Sequence, residues 1–189
     1  MSAFRELSPI LISRRLHAHW KTGLLGKQWA QTFPQLFDAD DVRLVASQAG
    51  HGYHFYEWFA AILLHRATGY RALVAKYEFA KHEEKSRVVE ELFSAEQIAL
   101  LRDRSQHGSA QAPDLLMVSP GGSYFFCEVK GPRDKFSKAQ EQKFETMRKI
   151  LRCEIFVLRF GWRSGKKRNG CSRGVLSRLR DELGELTQA

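Results

Sequence analysis

Asp114, Glu128, Lys130 and Gln140 fall within one stretch, Pro113 to Gln140, which reads PDLLMVSPGGSYFFCEVKGPRDKFSKAQ. Two carboxylates, a lysine and an amide are the parts that metal-assisted phosphodiester hydrolysis needs. Clustered carboxylates repel one another, and a divalent cation held by hard oxygen ligands relieves the repulsion. Mg2+ or Mn2+ suits such ligands, and zinc does not. A cation so held acidifies water or polarises a phosphoryl oxygen. A lysine beside it can orient or deprotonate the attacking water and offset charge on the pentacovalent phosphate. A glutamine, with donors and an acceptor, can position either one. Glu-x-Lys alone says little, because any surface strand can carry a solvated pair of opposite charges two residues apart.

The elements around these residues decide whether they meet. From Ser123 to Lys130 the chain is mostly aromatic and β-branched, and Pro120-Gly121-Gly122 before it reads as a turn. Alternation along a strand puts Glu128 and Lys130 on one face and Cys127 and Val129 on the other. Asp114 to Val118 reads as an antiparallel partner strand whose pairing brings Asp114 near Glu128. After a turn at Gly131 and Pro132, Ser137 is a helix N-cap, and a helix from about 138 to 151 turns Phe144, Met147, Ile150 and Leu151 inward. Gln140 shares that stripe.

Residues 53–67, YHFYEWFAAILLHRA, read as a helix that is apolar nearly all round and closed by Gly69. Glu57 lies on a stripe with Tyr53, Ala60, Ala61 and Leu64. Burying a lone carboxylate costs several kcal/mol unless it is paired, hydrogen-bonded or bound to a metal. Arg66, Arg71, a solvated edge and a metal are all open as its partner. Residues 70–79 read as a strand, and 81–104 as an inserted helical pair with a capping box at Ser94 and Gln97. Residues 154–160 give a further strand, followed by the basic stretch WRSGKKRNGCSR and a short terminal helix. His51, His54, His65, His82 and His107 form no metal-ligand spacing.

At 189 residues the chain forms one domain, or one domain with an extension. Residues 1–130 carry 15 Lys and Arg against 14 Asp and Glu, whereas residues 131–189 carry 15 against 7, so nearly all of the net +9 sits in the last third. That asymmetry favours a polyanionic partner, nucleic acid or an anionic membrane surface, over a merely solvated basic face. Cys127, Cys153 and Cys171 are odd in number and lack short paired spacing, which argues against a disulfide framework or a zinc knuckle. Cys127 and Cys153 read as small apolar strand residues. No signal-peptide pattern opens the sequence and no run reaches membrane-spanning length, so a reducing, cytoplasmic setting is expected.

Pro113-Asp114, Glu128-Val129-Lys130-Gly131-Pro132, Asp134, Ser137 and Gln140 together resemble the PD-(D/E)XK nuclease superfamily, and within it the VRR-Nuc family. The resemblance implies an α/β, restriction-endonuclease-like fold with a mixed central sheet flanked by helices. It implies that Asp114 and Glu128, with the Val129 carbonyl, hold Mg2+ or Mn2+, that Lys130 is the catalytic lysine and Gln140 the helix glutamine, and that Glu57 is the first-helix glutamate. The domain reading is a helical N-terminal extension over 1–50, a nuclease core over 51–160 with a helical insertion at about 81–104, and a basic loop and helix over 161–189. Residues 1–50 match no part of the family, and the insertion is longer than a minimal domain of this type needs.

The expected activity is metal-dependent hydrolysis of DNA in repair, recombination or restriction, with single-stranded, flap, branched and junction substrates, and RNA, all open. Cutting both strands would call for a symmetric homodimer. Arg133, Lys135, Arg163, Lys166, Lys167 and Arg168 are the candidate DNA contacts, and Trp162 is either a base-stacking residue or an ordinary core tryptophan. Two other readings stand beside this one. One is a non-catalytic nucleic-acid-binding module that keeps the nuclease fold, and the other is a basic interaction protein acting through its tail.

Overall fold

Short apolar runs bounded by turn residues become strands here, and longer runs of helical period become the layers that cover them. The computed structural model describes residues 4–37, 39–74, 77–79, 83–103, 110–164 and 172–184. In chain order the elements are β1 (Arg5–Glu6), β2 (Ile10–Ile12), α1 (Arg14–Lys21), α2 (Leu24–Thr32), α3 (Ala39–Gln48), α4 (Phe55–Thr68), β3 (Arg71–Val74), α5 (Glu83–Leu92) and α6 (Ala95–Arg102). There follow β4 (Leu115–Val118), β5 (Tyr124–Lys130), α7 (Lys138–Leu151), β6 (Ile155–Trp162) and α8 (Ser172–Leu183).

The strands form one mixed sheet in the order β1-β6-β5-β4-β3, with β2 also pairing β6. Neighbours β3, β4 and β5 are antiparallel, while β1, β2 and β5 each run parallel to β6. The parallel step from β5 to β6 needs a crossover, which α7 supplies. Both faces are therefore covered. On one, Met117, Phe125, Cys127 and Leu158 pack against Trp58 and Leu64 of α4 and Leu179 of α8. On the other, Leu116, Phe126 and Ile155 meet Phe93, Leu101, Phe144 and Met147. The restriction-endonuclease-like arrangement implied by the motif residues is present. The capping box expected at Ser94 and Gln97 opens α6.

Several expectations change. Residues 1–50 are not only helical, because β1 and β2 extend the sheet. Ile10 and Ile12 are buried and Leu11 is 54% exposed, the period-two pattern of a strand with one covered face. The strand read over 70–79 ends at Val74, and 77–79 form a turn and bend. Ile150 faces solvent at 53% exposure, and Lys143 takes the inward place one turn before Met147. Cys153 is buried, but it precedes β6 rather than lying in it. Among the described residues no helix is long and apolar enough to cross a membrane.

Candidate active site

Hairpin register brings the two carboxylates together. Leu115 pairs with Cys127 across β4 and β5, so Asp114, one residue earlier, lies beside Glu128. The turn that sets this register is closed by Ser119 and Ser123 at 2.8 Å, with Gly122 at φ 84°, a conformation glycine adopts without steric cost. Each carboxylate is also bound by the other strand's backbone. The Val129 N–H donates to Asp114 Oδ2 at 2.9 Å, and the Asp114 N–H donates to Glu128 Oε2 at 3.3 Å.

Lys130 and Gln140 complete a closed network on the α7 side of the sheet. Lys130 Nζ donates to Glu128 Oε1 at 2.7 Å and to Gln140 Oε1 at 3.3 Å, while Gln140 Nε2 donates to the same Glu128 oxygen at 2.9 Å. Helix chemistry fixes Gln140. Ser137 Oγ accepts from the Gln140 N–H at 3.1 Å, and the Ser137 N–H donates to Gln140 Oε1 at 3.2 Å, a capping box that locks the first turn of α7. The Ser-x-x-Gln spacing carried that signal, although the sequence reading took only Ser137 as a cap. Phe136 is a residue the sequence reading missed. Lys130 Nζ sits 4.7 Å from its ring centroid, Arg159 approaches the same ring at 5.4 Å, and Phe4 stacks on it at 4.6 Å.

Asp114, Glu128, Ser137 and Gln140 line a cleft of about 260 Å³ together with Ala110, Gln111 and Ala112. Burial raises the Asp114 pKa well above its ordinary value. The negative charges of Glu128 and Glu57 push the same way, and the Val129 N–H and Lys130 only partly oppose them. Burial likewise raises Glu128, against the ion pair with Lys130 and the hydrogen bonds it accepts. Two carboxyl groups held this way favour a cation between them.

Glu57 stands in the first turn of α4, where a negative charge suits the helix N-terminus. It is half-buried, at 23% side-chain exposure, and His54 Nδ1 lies 3.5 Å from it. Arg71, a partner considered for it, is taken by Glu84 at 2.5 Å. Glu57 thus reaches Asp114 through its charge and does not line the cleft. Arg133 and Lys135 are exposed in the turn after Lys130, a turn closed by the Gly131 N–H donating to Asp134 Oδ2 at 2.8 Å. Arg163 is half-buried beyond β6, its N–H bonded to the Ile12 carbonyl at 2.9 Å. Lys166, Lys167 and Arg168 lie outside the described residues.

Among the described residues no three His, Cys, Asp or Glu side chains converge on one point. The donor set available to a metal is therefore Asp114 and Glu128, with the main chain of Val129 between them. Hard oxygens on two repelling carboxyl groups fit Mg2+ or Mn2+, which bind through one or two carboxylates and keep waters elsewhere. No curated protein and no solved structure matches the chain. The VRR-NUC domain model matches residues 56–159, which is more than half of the chain and contains Glu57, Asp114, Glu128, Lys130 and Gln140, so the chain belongs to the VRR-NUC family of PD-(D/E)XK-like nuclease domains.

Proposed function

We propose that the protein is a Mg2+- or Mn2+-dependent nuclease that hydrolyses phosphodiester bonds in DNA. The observation that carries this reading is the register-matched meeting of Asp114 and Glu128, joined through Glu128 to Lys130 and Gln140, on one cleft of a VRR-NUC domain. Asp114 and Glu128, with the Val129 carbonyl, hold the cation. When bound it polarises a phosphoryl oxygen and acidifies water. Lys130 supplies positive charge to the phosphate as negative charge builds on it, and aligns the attacking water. Gln140 fixes the Lys130 ammonium and the Glu128 carboxylate relative to one another. Glu57 adds negative charge behind Asp114, which strengthens the pull on a cation. Arg133, Lys135 and the basic residues from Arg163 to Arg168 track the phosphate backbone.

Residues 1–50 and the helical insertion are additions around the shared core, and such additions choose among linear, flap, branched and junction DNA. The test is a cleavage panel of labelled linear, flap and four-way DNA with Mg2+ and Mn2+, run beside the Lys130→Ala protein and with a chelator. Wild-type cleavage that stops on chelation and is lost in the variant is the expected result. No cleavage of any substrate, or full activity in Lys130→Ala, overturns the reading.

A further inference from the structure

Lys130 acts through its ammonium, and that group is held by more than its two hydrogen-bond partners. Glu128 Oε1 accepts from Nζ at 2.7 Å and Gln140 Oε1 at 3.3 Å. Phe136 presents its ring to the same charge, with the centroid 4.7 Å from Nζ. The sequence on either side of Phe136 fixes where the ring stands. Asp134 closes the turn after Lys130 by accepting from the Gly131 N–H at 2.8 Å, and Ser137 caps α7. Lys135 and Phe136 span the short gap between these two motifs, so the backbone delivers the ring to Lys130 with little freedom.

The side chain is clamped as well. Phe4 stacks on it at 4.6 Å and 12°, and the fully buried Phe144 of α7 meets it edge-on at 6.0 Å and 85°. Arg159, the register partner of Lys130 on β6, approaches the ring at 5.4 Å while Glu6 accepts from its guanidinium at 3.2 and 3.3 Å. A cation within about 6 Å of a ring centroid is drawn to the negative ring face, most strongly where water is excluded. Lys130 is buried. A carboxylate in the place of Phe136 would also hold the ammonium, but its charge would repel the phosphate that Lys130 serves. The ring attracts the ammonium and carries no net charge.

We infer that Phe136 is a positioning residue for Lys130, its ring holding the ammonium against Glu128 and Gln140 so that the charge is in place before the phosphate arrives. That role rests on the nuclease reading of Lys130. It also gives the N-terminal segment a task, because Phe4, which stacks on the ring, precedes the residues matched by the family. The domain supplies the lysine, and the chain outside the domain steadies the ring that holds it.

The test replaces Phe136 in the full chain by 4-fluoro-, 3,5-difluoro- and 3,4,5-trifluorophenylalanine, which drain the negative ring face stepwise with little change of size. Cleavage of labelled DNA gives kcat and KM. The expected result is a stepwise fall in kcat, reaching about two- to thirtyfold at the trifluoro ring, with KM changed by less than about twofold. Phe136→Leu, which keeps an apolar side chain and removes the ring, falls at least as far. The stepwise fall persists in Arg159→Gln, because the ring acts through Lys130. A kcat that ignores the fluorine series, or a dependence that vanishes in Arg159→Gln, overturns the role. Melting curves without DNA read the contact itself. Fluorination lowers Tm more in the wild-type background than in Lys130→Met, and equal shifts in the two overturn the ring–ammonium contact. No cleavage by the unsubstituted protein fails the nuclease reading and takes the role in catalysis with it, while the melting comparison still decides whether the ring holds the ammonium.

Discussion

Among the described residues three lysines are buried, and they separate the candidate site at one end of the sheet from the inserted helices. Lys130, at 6% exposure, shares Glu128 and Gln140 in the wall of a cleft. Lys85 and Lys143, at 3% and 0%, tie the insertion down. Lys85 of α5 pairs with Asp41 of α3 at 2.6 Å and donates to the Val74 carbonyl at 3.0 Å. Lys143 of α7 donates to Leu100 at 2.9 Å, and also to Leu101 and Asp103, at the carbonyl end of α6. Burial of a charge therefore does not mark a catalytic group by itself. What sets Lys130 apart is that its carboxylate partner also faces a cleft and a second raised carboxyl. The partners of Lys85 and Lys143 are fixed parts of the fold.

The sharpest way to break this contrast is to remove each ammonium in turn. Lys130→Ala is expected to lower cleavage by roughly 10² to 10⁴-fold, the range for loss of a positioned acid-base or charge-stabilising group, with the fold retained. Cleavage rates beside a thermal melt decide this, and a variant that melts like wild type yet cuts at the wild-type rate would remove Lys130 from the chemistry. Lys85→Met should show the reverse pattern. It leaves the Asp41 carboxylate buried without its ammonium, a loss of about 3 to 5 kcal/mol of stability. Adding Asp41→Leu should recover most of that in denaturant titrations, and no recovery would mean that the pair does not carry the anchoring.

What could be read in the sequence follows the same division. Pro113 to Gln140 was legible because its information is local. Strand alternation set the face of Glu128 and Lys130, a two-strand hairpin set the place of Asp114, and helical phase set Gln140. Helical phase also misleads, since it turns Ile150 inward where the fold exposes it and buries Lys143 instead. A lysine is placed inside only when carbonyls of a distant helix end wait for it, and no local pattern reports that. The strands β1 and β2 were missed for a related reason. They pair in parallel with β6, at the other end of the chain, so no hairpin turn announces them. Tyr56 carries no local signal, because its neighbours His17, Gly131 and Trp162 meet it only in the fold.

The cleft should also differ from the insertion in its response to pH and metal. Asp114 and Glu128 have folded pKa values raised above their ordinary 3.8 and 4.5. In the window above those ordinary values the native state holds more protons than the unfolded chain, so the metal-free protein loses stability as pH rises through it. The slope is about 1.4 kcal/mol per pH unit for each proton of difference. Mg2+ or Mn2+ at about one hundred times its dissociation constant should return about 2.7 kcal/mol at neutral pH. Melting curves across this pH range read both effects, and Asp114→Asn should flatten the pH dependence and remove most of the metal response. A metal response that survives Asp114→Asn unchanged would place the cation elsewhere.

Lys143→Met is the mildest of these tests and the one most specific to the anchoring side of the contrast. Methionine keeps most of the volume of the lysine stem inside the α7 face of the core, so the cavity term is small. The loss is then confined to the ammonium, which leaves the carbonyls at the end of α6 without that donor and removes a cation from the negative end of a helix. The Leu100 carbonyl keeps the Asp103 N–H at 3.3 Å, so the loss lies at or below the roughly 1 to 3 kcal/mol of an unsatisfied buried group. Because the Lys143 ammonium donates to the carbonyls of Leu100, Leu101 and Asp103, cleavage per folded molecule should stay at the wild-type level while amide exchange quickens in the last turn of α6. Local exchange with unchanged catalysis supports a structural cap. A fall in cleavage with no change in exchange would instead make Lys143 part of the site and dissolve the distinction between the two kinds of buried lysine.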